Sequence, residues 1–198
     1  MIRKLTALAL GASTVLAASS ASAQSAAQEK ARAFADTPGW SIAGLLGLGF
    51  SSYAGFGIGA RGGYTLPSGV YLGGTFIDFP GSWGNTFLTG FEGGYNIPAG
   101  PIVVRPYGGL GLIDITYPYS AVVPIIGGNG LPTGQYTTTN ANTSATFFSL
   151  WFGGTVEYPI TENWFVGGDL RFLIIPSVNT YAGSGFTGAL MGTGGYQF

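Results

Sequence analysis

The chain has 198 residues and a formal charge of −1, with only 8% of positions charged, against about 25% in a typical soluble domain. Its 36 Gly, 11 Pro and 15% aromatic residues exclude a disordered, collagen-like or supercharged chain, and glycine spread so evenly excludes a helical membrane bundle. The absence of Cys rules out disulfide scaffolds and thiolate zinc sites, the absence of His removes the usual general base and the commonest metal ligand, and 7 basic against 8 acidic residues offer nothing to a nucleic acid.

The first element is a leader. Arg3 and Lys4 precede a 14-residue uncharged apolar run, Leu5 to Ala18, and Ala21-Ser22-Ala23 supplies a small-x-small cleavage site. Fourteen residues are too few for a helix to cross about 30 Å of hydrocarbon. Residues 1–23 therefore read as a cleaved signal peptide, leaving a mature chain of 175 residues (198 − 23) with 5 basic and 8 acidic side chains. Residues 24–39 form a periplasmic lead-in, in which Glu29, Lys30, Arg32 and Asp36 stand among alanines in a short helix-prone or disordered segment.

From Trp40 to Phe198 only nine charges remain, and none falls between Ile115 and Val156. The uncharged stretch 37–60 resembles a membrane helix only in hydropathy: six of its residues are Gly44, Gly47, Gly49, Gly55, Gly57 and Gly59, and each interior Gly costs a helix nearly 1 kcal/mol relative to Ala. Trp40, Ile42, Leu46, Leu48 and Phe50 share one parity, Ser41, Ala43, Gly47 and Gly49 the other, and a period of two means strand. The pattern predicts eight strands at 40–50, 56–66, 70–79, 85–97, 102–117, 144–158, 164–175 and 186–198, of the length a tilted strand needs to span a bilayer. Pro- or Gly-containing turns, each entered by a strand-end Tyr, follow strands two, four and six (Tyr64 to Gly69, Tyr95 to Gly100, Tyr158 to Asn163), whereas long segments run from Pro118 to Thr143 and from Pro176 to Gly185. Short periplasmic turns opposed to longer external loops characterise outer-membrane barrels, and an even strand count puts both termini on the turn side.

Backbone polar groups in hydrocarbon must all be paired, so strands can span only as a closed cylinder. Strand seven then directs Trp164, Val166, Leu170, Phe172 and Ile174 to lipid and Asp169 and Arg171 inward. Strand four directs Phe87, Phe91, Tyr95 and Ile97 out and Glu92 and Asn96 in, strand six directs Phe148, Leu150, Phe152, Val156 and Tyr158 out and Glu157 in, and strand two turns Arg61 inward. Arg on the lipid face near the midplane would cost about 2–4 kcal/mol. A soluble barrel of the lipocalin type would reverse the pattern. Trp40, Tyr53, Tyr64, Tyr71, Tyr95, Tyr107, Tyr117, Tyr158, Trp164 and Tyr196 lie near strand ends, where two aromatic girdles are expected. The fold class is thus all-β: an eight-stranded antiparallel up-and-down transmembrane barrel over 40–198.

The strand endings Gly62-Gly63-Tyr64, Gly93-Gly94-Tyr95 and Gly194-Gly195-Tyr196, with Arg105-Pro106-Tyr107-Gly108-Gly109-Leu110-Gly111-Leu112 and the terminal Tyr196-Gln197-Phe198, carry a resemblance to the small outer-membrane β-barrel family of OmpA-like and opacity-like eight-stranded barrels. The resemblance implies a bacterial outer-membrane location and recognition of the last strand by the barrel-assembly machinery through Tyr196 and Phe198. It departs from the family at Gly192 and Gly194, where larger apolar residues are usual, and at the C-terminus, where no peptidoglycan-binding domain is expected after the barrel.

Site residues are few. The pattern Gly57-x-Gly59-x-x-Gly62 has no helix after it to hold a dinucleotide, and Asn142-Thr143-Ser144 is a glycosylation sequon by pattern alone. Without histidine no catalytic, cofactor or metal site is expected; a carboxylate dyad is the one enzymatic arrangement left. The inward set Arg61, Glu92, Glu157, Asp169 and Arg171 reads either as a structural ion-pair network filling the lumen, favoured by the width of an eight-stranded barrel, or as a narrow hydrophilic pore. In the long loop, Val122, Val123, Ile125 and Ile126 are apolar for a segment facing water. They either extend a hairpin, cover the mouth, or admit small hydrophobic molecules as in OmpW-like barrels. The expected function is a structural or surface-interaction barrel, monomeric, in contact with outer-membrane lipids; the competing one is a porin-like channel or hydrophobic conduit.

Overall fold

The computed structural model describes residues 24–51, 54–81, 84–127, 131–176 and 186–198. The predicted signal peptide, Tyr53 and most of the 176–185 connection lie outside these residues.

Helix α1 (24–36) precedes β1 (Gly39–Ser51), β2 (Ala54–Thr65), β3 (Val70–Gly81) and β4 (Gly84–Tyr95). The three-residue β5 (Ile97–Ala99), the long β6 (Ile102–Ile126) and β7 (Pro132–Pro159), β8 (Trp164–Ile174) and β9 (Phe186–Gln197) follow. Every pairing is antiparallel, each strand joins its sequence neighbour except that β4 joins β6, and β1 pairs with β9 to close the cylinder. Both β4 and β5 pair with β6 in the same register, so they form one wall strand interrupted at a single residue and the barrel has eight. Among the described residues no helix is long and apolar enough to cross a membrane; the strands cross instead.

Alternation decides which way each wall faces. Trp40, Ile42, Leu46, Leu48 and Phe50 of β1 are each more than 50% exposed, while Ala43 and Leu45 between them are buried. Trp164, Val166, Leu170 and Ile174 of β8 are exposed, and Phe165, Asp169, Arg171 and Leu173 are buried. In water such an apolar exterior would aggregate; in lipid it is the solvated face.

Three differences from the sequence-based expectation have physical causes. The predicted 118–143 connection is mostly strand, because β6 and β7 stay paired from Val103↔Glu157 out to Ile126↔Pro132. Pro118 and Pro124 fit within the ribbon because beyond Thr116 the strand β6 has no second neighbour among the described residues, and edge strands tolerate proline. The fourth strand is interrupted at Asn96 with its register unchanged (Gly94↔Tyr107 before, Ile97↔Val104 after), because the facing wall has Pro106 there, which carries no N–H for the ladder. The Asn96 side chain accepts from Arg105 Nε at 2.6 Å. Tyr71 and Tyr107, expected in the aromatic girdles, are buried inside the barrel.

Inward-facing glycines make those aromatic positions possible. The Trp151 ring lies over Gly109, the Phe79 ring over Gly57 and the Tyr71 ring over Gly63 and Gly73, at places where a Cβ would collide with the ring. Gly109→Val should therefore force Trp151 off its seat and cost about 1–3 kcal/mol, read as a lower urea midpoint by tryptophan fluorescence.

Candidate functional site

The lumen is stacked in three layers. On the turn side, Ala31, Phe34 and Ala35 of α1 pack against the inward residues Ala43 of β1, Val103 of β6 and Phe165 of β8. The Phe34 and Phe165 rings meet edge-on at 5.3 Å. Lys30 Nζ donates to the Ile160 carbonyl at 3.1 Å, and Gln197 Nε2 donates to the Thr37 carbonyl at 2.9 Å, so the helix is tied to the β7–β8 turn and to the last strand. On the loop side a second apolar layer contains Leu45, Ile77, Phe79, Leu88, Ile113, Trp151, Leu173 and Met191.

Between these dry layers lie three guanidinium groups and three carboxylates. Arg61 reaches all three acids, Asp169 at 2.9 Å, Glu157 at 3.2 Å and Glu92 at 3.6 Å. Arg105 grips both oxygens of Glu157 at 3.1 Å. Arg171 donates to Glu92 at 3.1 Å, to Thr75 Oγ1 at 3.2 Å and to Tyr107 Oη at 3.1 Å, and lies 3.6 Å from Asp169. Tyr107 in turn donates to Asp169 at 2.9 Å. Arg105 stacks over the Tyr71 ring, 4.3 Å from its centroid. No side chain in these ion pairs is more than 4% exposed.

The structure thus brings together Arg61, Glu92, Glu157, Asp169 and Arg171, and adds Arg105, which the sequence reading left unassigned. The signal was present: Leu110 and Leu112 alternate with Gly109 and Gly111, which fixes odd positions of β6 as inward. With Arg105 included the charges balance at three against three, the condition under which buried ions can remain ionised. Each carboxylate is bridged to a neighbour by a guanidinium, an arrangement that locks the acids in place.

The remaining candidates are dispersed. Val122, Val123, Ile125 and Ile126 sit near the tip of the β6–β7 hairpin, which they extend, and are exposed. Tyr196 contacts Trp164 at 5.1 Å and Phe198 at 5.0 Å, and Trp40 meets Tyr64 at 5.3 Å, giving one aromatic girdle at the turn-side rim. Phe198 is exposed, and its N–H donates to the Trp40 carbonyl at 2.8 Å. Gly57, Gly59 and Gly62 lie within β2, with no helix to follow. Asp78 and Asp114 flank Phe87 in one cross-strand row on the outer face near the loop side, and Thr146 Oγ1 donates to Asp114 at 2.8 Å.

A closed up-and-down cylinder with a largely apolar exterior and all three of its barrel arginines inside is a transmembrane barrel of the bacterial outer membrane. The chain belongs to the outer membrane protein beta-barrel domain family, whose sequence profile matches residues 13–196. It is similar in fold to Neisserial surface protein A, with 19% identity over 80% of this chain and 96% of that one and a TM-score of 0.51. The N-terminal β-barrel domain of Pseudomonas aeruginosa OprF aligns at 18% identity over 82% and 100% of the two chains, with a TM-score of 0.47. A major outer membrane protein from Thermus thermophilus aligns at 16% identity over 80% and 99%, with a TM-score of 0.49. No curated protein matches the chain.

Proposed function

We propose that this protein is a non-conducting structural barrel, without a catalytic cycle, that makes surface contacts through its projecting β6–β7 hairpin. The observation that carries the reading is the filled lumen: a balanced ionic layer lies between two apolar layers, one of them made by α1. An eight-stranded barrel is only just wide enough for its own side chains, and a permeating ion would have to displace Phe34 or Trp151 as well as part a salt bridge. The closure of the sheet by β1 on β9 supports the same reading over a lateral conduit for hydrophobic molecules. In this reading the barrel is a monomer within its own membrane, and the exposed Phe198 and neighbouring Tyr196 serve as its signal to the barrel-assembly machinery.

The test is single-channel recording of the refolded protein, its folding verified by heat-modifiable gel mobility. Planar bilayers should stay silent. Discrete openings of reproducible amplitude would overturn the proposal in favour of a small channel.

A further inference from the structure

The β6–β7 hairpin continues well past the barrel. The β4 ladder leaves β6 at Thr116 and the β8 ladder leaves β7 at Leu150, yet β6 and β7 remain paired to Ile126↔Pro132. From Thr116 to Ile126 the ribbon projects about 34 Å at roughly 3.4 Å per residue. Its two edges differ. Along β6 the edge carries Pro118 and Pro124, the kind of residue that blunts an exposed strand. Along β7, residues 133–149 contain neither proline nor any charge, and among the described residues this segment has no partner strand except β6. Proteins ordinarily guard such an edge with Lys, Pro or a bulge.

The composition of the arm selects what can meet that edge. Every Lys and Arg after residue 32 is Arg61, Arg105 or Arg171, and all three are buried in the lumen. The arm therefore has no cation for an anionic glycan or phosphate. It also has no charge that would repel a copy of itself, and its edge is a run of Thr, Asn and Ser able to pair across strands with the same residues. A twofold axis perpendicular to a sheet sets one edge antiparallel to its own copy, as a self-complementary interface requires. Arms standing on two apposed membranes point toward each other, which gives them that antiparallel sense.

We propose that the β7 edge of the arm pairs with the β7 edge of a second copy on a facing membrane, forming a four-stranded sheet that bridges the two surfaces. The proposal rests on the reading of the hairpin as a surface-contact element and names its partner. A single such pair is weak, and many pairs between two membranes act together through their high effective concentration.

The experiment uses the full mature chain refolded into zwitterionic phosphatidylcholine vesicles, with clustering followed by light scattering. Vesicles carrying the protein should cluster, and empty vesicles should not. Thr138→Lys with Asn142→Lys, both exposed positions on the β7 arm, should slow clustering about tenfold or more through like-charge apposition. The matching Thr138→Glu, Asn142→Glu protein should do the same. Mixing Lys-bearing with Glu-bearing vesicles should restore clustering, an outcome that misfolding of either variant cannot produce. Absence of clustering by the unaltered protein, or clustering indifferent to both charge variants, would overturn the proposal. Cross-linked dimers within one vesicle population without clustering would likewise overturn it, in favour of side-by-side association. Bilayer recordings remain a separate readout: a silent barrel that does not cluster loses only the arm pairing, and a conducting barrel that clusters loses only the closed-lumen reading.

Discussion

Arg61→Met should lower the unfolding free energy of the refolded barrel by about 3–5 kcal/mol, the usual consequence of breaking a buried pair from one side. Arg61 is the guanidinium that touches Asp169, Glu157 and Glu92 together. The other two cannot take over its work. Arg105 is committed to both oxygens of Glu157, and Arg171 is already divided among Glu92, Thr75 and Tyr107. Methionine fills much of the volume but leaves three carboxylates against two cations between apolar layers, where water has little access to solvate the excess.

Adding Asp169→Asn to Arg61→Met restores two against two. Tyr107 keeps an acceptor, and Arg171 keeps a polar neighbour on that side. The double variant should therefore unfold at a higher urea concentration than Arg61→Met alone, a coupling that independent sites would not produce. Equal midpoints for the wild type and Arg61→Met would show that the network is not part of what holds the barrel closed. Both variants should remain silent in planar bilayers, because the Phe34 and Trp151 layers are untouched.

Much of this arrangement was legible in the sequence because a barrel in lipid imposes a strict period of two. Leu170 and Phe172 bracket Arg171, and Phe91 precedes Glu92, so the direction of each charge follows from its neighbours. Arg105 escaped because Val103, Val104 and Pro106 around it do not alternate in size or polarity, and its parity emerges only from the Gly-Leu repeat further along β6. Tyr71 and Tyr107 were misplaced for a different reason. Residue type favours the membrane interface for Tyr, but Gly63, Gly73 and Gly153 open the inner wall beneath their rings, and Asp169 supplies Tyr107 with an acceptor. The arm was hidden because the 118–143 segment, rich in Gly, Thr and Asn, reads as a connection, and its prolines are tolerated because they lie on an edge.

The docking of α1 was the least legible element, since an apolar stripe made of Ala31, Phe34 and Ala35 carries one large side chain. That side chain gives the second large expected effect. Phe34 is 3% exposed and meets Phe165 edge-on, and truncating a buried Phe costs about 3–5 kcal/mol; Phe34→Asp adds a carboxylate among the apolar Val103, Ala43 and Phe165. A helix spanning only 24–36 is marginal by itself in water, so its order depends on this contact more than on its alanines. The loss should fall on the helix rather than on the barrel, whose ladder closes through β1 and β9 without it. Trypsin should then cut Phe34→Asp after Lys30 or Arg32 at least about tenfold faster than the wild type, as local opening exposes those bonds, while the barrel keeps its heat-modifiable mobility. Equal cleavage rates would mean that the turn-side seal does not depend on Phe34. Simultaneous loss of the folded band would mean that helix and barrel unfold as one unit.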